Sequence, residues 1–293
     1  MLSPPHFVFL VSINLVWAMA LAAARIGTLE IPPLLFTGLR FLLLSMILLP
    51  FLDLHPGRMR SILAVGLCGG ALQFAFLFTG IRVAGDLSAV ALASQLGLPF
   101  STLLAVVFLR EQVGWRRWTG IACAFTGVII VSYDPRVLAY WEGLFFGVAA
   151  ALSASIGTVI MRGLRDIGIF ELQAWVAIIS WPVLLSLSVM LEGSPQPWFE
   201  SAGWRGWGAI AFTALVSNLF AHAGMFYLLK RYEVSLLSPL NLMTPVFTVT
   251  IGVAFLGDVL TAQMATGGAL ILLGVGIITA RRPQYLRETE PVR

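Results

Sequence analysis

Ten runs of almost wholly apolar residues, separated by short charged connections, leave this chain few ways to fold. They fall at roughly 6–24, 33–52, 61–81, 87–109, 116–133, 140–162, 170–191, 206–229, 234–256 and 262–280. About 20 residues at 1.5 Å per residue cross the hydrocarbon core of a bilayer as an α-helix. Within lipid a segment has no water to satisfy its backbone, so runs of this length are expected to be helices. Only 11% of residues are charged and the mean hydropathy is +0.92, whereas soluble domains carry about a quarter charged. The expected fold is an all-α integral membrane protein with ten transmembrane helices. The first run has no basic residue ahead of it and no small-residue cleavage pattern behind it, so it reads as a retained helix and not a signal peptide. Cys68 and Cys123 both fall inside apolar runs and read as packing residues.

The chain also repeats itself. Phe108-Leu109-Arg110-Glu111, followed by Gly120 and Gly127, returns 147 residues later as Phe255-Leu256-Gly257-Asp258 with Gly267 and Gly274. This divides the chain into residues 1–136, 137–282 and a tail, 283–293, with five runs in each half. Five is odd, so the second half enters the membrane from the opposite side and the repeats are inverted. In inverted-repeat transporters the substrate site lies near the midplane, between the repeats. Basic residues favour the cytoplasmic side. With a cytoplasmic N-terminus, 13 of the 18 Lys and Arg residues fall inside, four fall outside and Arg40 lies within the second run. The expectation is that both termini are cytoplasmic. The net charge of +4 then belongs to the inner leaflet and does not point to nucleic acid.

Polar residues inside the runs are the candidates for a site. A proline in a helix interior removes one donor and displaces the carbonyl four residues earlier. Pro99 displaces that of Gln95 and Pro245 that of Asn241, so each half sets an amide side chain beside a freed carbonyl. A plain packing kink explains the prolines equally well. Asn14, Gln73, Asn218 and His222 are the remaining buried amides and imidazole, with Asn218 and His222 one helical turn apart. Any one of them could be a simple interhelical hydrogen bond. Trp17 follows Asn14 at helical spacing and reads as a lining residue, while Phe74 and Phe78 read as lining or as core. A pathway lined by helices 1, 3, 4, 6, 8 and 9 is expected. Arg40, the one permanent charge at depth, either binds a carboxylate or fixes packing. All 14 acidic residues lie in loops, tails or helix ends. Proton-coupled carriers hold an intramembrane group that titrates, and His222 is the one candidate here, so no obligatory proton coupling is expected.

These residues resemble the drug/metabolite transporter superfamily, in its ten-helix group with two EamA-type repeats. The similarity rests on Trp17-Ala18, on Arg40, and on Pro99 to Glu111 followed by Gly120 and Gly127. The second copy keeps Pro245, Gly257-Asp258, Gly267 and Gly274, but carries Ser153-Ala154-Ser155 where many relatives have another Trp. The resemblance implies a secondary transporter, exporting or exchanging small metabolites by alternating access across a bacterial inner membrane. YddG-type amino-acid exporters are similar in length and in the helix 1 pattern, which implies amino acids, aromatic or otherwise neutral, as the first substrate class. Drugs or other apolar metabolites are the alternative. Polyanionic sugar phosphates or nucleotide sugars need several buried cations, and Arg40 stands alone. The chain has no His-Glu-x-x-His motif and no buried carboxylate pair, so an intramembrane enzyme is a distant third reading. No catalytic residue, metal or cofactor is expected; the partners are a small-molecule substrate and the bilayer, with the chain acting as a monomer or homodimer.

Overall fold

The computed structural model describes residues 3–109, 114–164, 166–229, 231–232, 237 and 240–279. The Arg110-Glu111 pair, the start of the ninth run and the tail 283–293 lie outside them. Among the described residues all regular structure is helical. The principal helices are α1 (Pro4–Glu30), α2 (Pro33–Phe51), α3 (Met59–Val83), α4 (Leu87–Phe108), α5 (Trp115–Ser132), α6 (Trp141–Met161), α7 (Ile169–Leu191), α8 (Trp204–Met225), α9 (Met243–Phe255) and α10 (Ala262–Thr279). Seven of these are long and apolar enough to cross a membrane by length and composition alone, where the sequence suggested ten. The other three are α5, whose hydropathy is lowered by its Trp-Arg-Arg-Trp start, and the shorter described helices α9 and α10.

Small residues hold the bundle together. In lipid no hydrophobic force drives helix association, so close backbone approach supplies the attraction. Helices α5 and α10 run antiparallel with their backbones touching. A Cβ built on Gly120 would sit 2.7 Å from the Gly274 carbonyl oxygen, and one on Gly127 would sit 2.5 Å from that of Gly267. Midway between, the Cys123 thiol donates to the Leu270 carbonyl at 3.4 Å, across a sequence separation of 147. Helices α2 and α7 also cross antiparallel, with Gly38 pressed against Leu185 at the same separation. Both crossings therefore bring together residues that occupy matching places in the two halves.

The remaining pairings follow the same rule. Helix α6 packs on α3 and α4, while α1 packs on α8 and α9. On α6, Gly157 lies backbone to backbone with Gly69 of α3, and Ser155 donates to the Gly97 carbonyl of α4 at 2.7 Å. Helix α4 is interrupted by a turn at Gln95 and Leu96 before resuming at Gly97, and a turn at Asn241 and Leu242 precedes α9. In each case the proline, Pro99 or Pro245, sits in the first turn of the helix that follows, where its missing N–H costs nothing.

The α5–α10 contact has no room for a side chain at its glycines. Gly127→Leu should destabilise the protein by roughly 1–3 kcal/mol, the usual cost of overpacking. Gly114→Ala, with nothing within 4 Å of its Cβ position, should be neutral. Thermal unfolding of the detergent-purified variants, read beside their elution profiles, checks both.

Candidate functional site

Two adjoining chambers lie in the middle of the bundle, of about 190 and 240 Å³. Trp17 and Leu21 of α1 and Thr244 of α9 line both, so together they make one divided cavity in the size range of small-ligand pockets. The first chamber is closed by Arg40 from α2, Phe74 and Phe78 from α3, and Thr213, Ser217 and His222 from α8. The second is closed by Ser94 and Gln95 at the break in α4 and by Asn241, Pro245 and Thr248 around the start of α9.

The helices bearing these residues are wound irregularly. Residues Gly66–Leu72 of α3 and Phe212–His222 of α8 form wider turns with hydrogen bonds five residues apart, a winding often found at functional sites. The five-residue spacing rearranges α8. Asn218 Nδ2 donates to the Thr213 carbonyl at 3.2 Å, and His222 Nδ1 meets the Ser217 carbonyl at 3.0 Å. Asn218 and His222 thus each pair five residues back instead of sharing one face at α-helical spacing. Because a carbonyl can only accept, His222 donates to it from Nδ1. Its ring stands edge-on to Trp17, with centroids 5.4 Å apart.

Several residues singled out from the sequence take different places. Asn14 does not line the cavity; its Nδ2 donates to the Leu10 carbonyl at 2.8 Å and its Oδ1 accepts from Thr244 Oγ1 at 2.7 Å, tying α1 to α9. Gln73 is half-buried on α3 and lines neither chamber, because the wide turn before it brings Phe74 inward instead. Asn218 is buried behind the wall, where its Oδ1 accepts from Arg40 Nη2 at 3.2 Å. Pro99 breaks the helix without reaching the cavity. Helix α6 supplies no lining, since its Ser153-Ala154-Ser155 face is spent on α3 and α4: Ser153 donates to the Cys68 carbonyl at 2.9 Å. Helix α2 takes its place through Arg40. The sequence reading overlooked Thr213, Ser217, Thr244 and Thr248, since hydroxyl residues are common in apolar helices and most simply return a bond to their own backbone.

At one end of the bundle carboxylates cap helix starts. Glu192 accepts from the backbone of Leu34 and Leu35 at 2.8 and 3.0 Å, and Glu30 from Gly203 and Gly206 at 3.1 and 2.8 Å. Asp258 accepts from the Leu87 and Ser88 amides at 3.2 and 2.8 Å and from Ser88 Oγ at 2.5 Å. Negative charge is favourable at these positive helix ends. At the same end Arg25 donates to the carbonyls of Ile81 and Ala84, which close α3. Asp86 sits in this cluster, and burial, with the charge of Asp258 beside it, raises its carboxyl above the ordinary range.

A multi-helix membrane bundle enclosing an aromatic and polar central cavity is the build of a small-solute carrier. The chain belongs to the EamA-like transporter family, which it matches over residues 6–133 and 141–280; it is a multi-pass membrane transporter and not an enzyme. It is 29% identical over 272 residues to a "Probable amino-acid metabolite efflux pump" of Salmonella typhimurium, covering 89% of this chain and 90% of that one. An Escherichia coli protein of the same description is 26% identical, again over 89% and 90%. The "Uncharacterized inner membrane transporter YedA" of Escherichia coli is 23% identical, over 98% and 94%. A solved crystal structure shares the fold with a TM-score of 0.62 at 19% identity, over 94% of this chain and 96% of its own.

A raised carboxyl binds its proton more tightly in the folded state than in the unfolded one. Folding stability therefore falls as pH rises through the ordinary and then the raised value of Asp86. Asp86→Asn should unfold at a slightly higher temperature than the parent at pH 7 to 8, and the two curves should converge as pH falls into the carboxylate range. Melting curves across pH 4 to 8 check this.

Proposed function

We propose that the chain is a secondary transporter exporting small metabolites, amino acids first among them, across a bacterial inner membrane. The observation that carries this reading is the divided cavity around Trp17, lined by α1, α2, α3, α4, α8 and the start of α9. Its walls combine aromatic rings with amide and hydroxyl groups, as a solute with an apolar side chain and a polar backbone requires. The relatives described as probable amino-acid metabolite efflux pumps support the same substrate class. Export of apolar drugs is the second reading, favoured by the aromatic wall of Trp17, Phe74 and Phe78.

In this proposal residues 1–136 and 137–282 are two inverted five-helix repeats that cross the membrane ten times, with both termini in the cytoplasm. The antiparallel crossings of α2 with α7 and of α5 with α10, each joining positions 147 residues apart, support a two-fold relation between the halves. The 13 basic residues on the assigned inner side support the orientation. The carboxylate-capped end of the bundle then faces outward.

Reconstitution tests the reading. Proteoliposomes loaded with a panel of labelled amino acids should release at least one of them faster than empty-vector controls. Trp17→Ala should cut that flux by about tenfold, the effect of losing roughly 1.4 kcal/mol of solute contact, while expression and elution stay normal. Full flux in Trp17→Ala would place the pathway elsewhere.

Coupling is a separate question. Among the described residues the acidic side chains sit at helix ends or in loops, and the His222 imidazole is engaged with the Ser217 carbonyl. Facilitated flux is therefore expected, with no accumulation driven by an imposed pH gradient. Accumulation that follows the gradient and vanishes in His222→Gln would instead make His222 the coupling group.

A further inference from the structure

Arg40 is 2% exposed and has no carboxylate partner among the described residues. Its guanidinium donates from Nη2 to Asn218 Oδ1, while its Nε is buried with no acceptor. Three rings surround it: Cζ lies 4.4 Å from the centroid of Phe74 and 5.4 Å from those of Phe41 and Phe78. Ring faces stabilise a cation without neutralising it. A charge buried with no counter-ion inside a membrane protein is costly and marks a functional position. Here that charge forms part of the wall of the first chamber.

A second donor stands in the same wall. Trp17 Nε1 is also buried without a partner, whereas the second chamber contains an unpartnered acceptor, Asn241 Oδ1, near Gln95. Unmatched donors on Arg40 and Trp17, the guanidinium charge and an unmatched acceptor on Asn241 thus all belong to residues that line the cavity. That set of groups is complementary to a zwitterion. The roles are also consistent with Asn218, which accepts from Arg40 and donates to Thr213, holding the guanidinium in place.

We propose that Arg40 and Trp17 form a carboxylate-binding subsite. The transported solute carries one acid group that docks there, with its apolar part against Phe74 and Phe78 and its ammonium, where it has one, towards Asn241. The same charge repels amines and other cations lacking an acid. This inference rests on the transport reading and deepens it by naming the group that is recognised.

The test is binding to the purified protein in lipid nanodiscs at pH 7. The probes are L-phenylalanine, L-leucine and L-serine, each beside its carboxamide, with phenylacetate as an acid that lacks an ammonium. At least one acid should bind ten times or more tighter than its amide. Arg40→Gln should abolish that preference, and Arg40→Lys should keep part of it, because the charge remains while the planar fork is lost. Equal binding of acids and amides by the parent protein overturns the subsite while leaving the amino-acid reading intact, and needs no variant to fold. An acid preference that survives in folded Arg40→Gln also overturns it. Binding of phenylacetate without any amino acid upholds the subsite and sinks the amino-acid reading. Failure of every acid to bind overturns both.

Discussion

The structure depends on backbones that touch. In a bilayer the apolar side chains of one helix gain nothing by leaving lipid for another helix, so cohesion comes from close van der Waals approach. Gly120 against Gly274 and Gly127 against Gly267 bring α5 and α10 together until no side chain fits between them. Gly38 against Leu185 performs the same task for α2 and α7. These two antiparallel seams frame the bundle, and the six remaining helices are arranged between them.

Within that frame the two halves are filled differently, and the cavity follows from the difference. Helix α6 meets α3 and α4 through Gly157, Ser153 and Ser155, residues small enough for the backbones to close up. The corresponding contact of α1 with α8 and α9 includes Trp17, too large for such an approach, and space remains on either side of its ring. The wide turns of α8 and the interruption of α4 accompany polar groups that line that space, while the wide turn of α3 precedes the aromatic Phe74 and Phe78. Such irregular backbone survives at membrane depth only where protein or a polar cavity satisfies it.

Charge is divided with equal economy. The carboxylates Glu30, Glu192 and Asp258 each end or follow one helix and accept from the backbone amides at the start of another, at one end of the bundle. The cavity keeps a guanidinium and no acid among its lining residues, and the aromatic box around Arg40 tolerates the charge without cancelling it. A solute entering the cavity meets a positive wall.

How much of this was legible beforehand depends on the range of the interaction. The apolar runs, the 147-residue period and the isolation of Arg40 in one of those runs are properties of the chain itself. They determined a helical membrane bundle of two related halves and named Trp17, Arg40, Phe74, Phe78, Gln95, His222 and Asn241, all of which line the cavity. Asn14, Gln73 and Asn218 carry the same sequence signal and do not line it, since an amide in an apolar run looks the same whether it faces a cavity or another helix. Which it faces depends on helix rotation, and the five-residue turns of α3 and α8 change that rotation without a mark in the residue pattern. The absence of α6 from the cavity lining and the presence of α2 were likewise decided by packing between segments far apart in the chain. Local sequence sets the length, polarity and breaks of each helix; which faces meet is settled only when all of the helices compete for the same space.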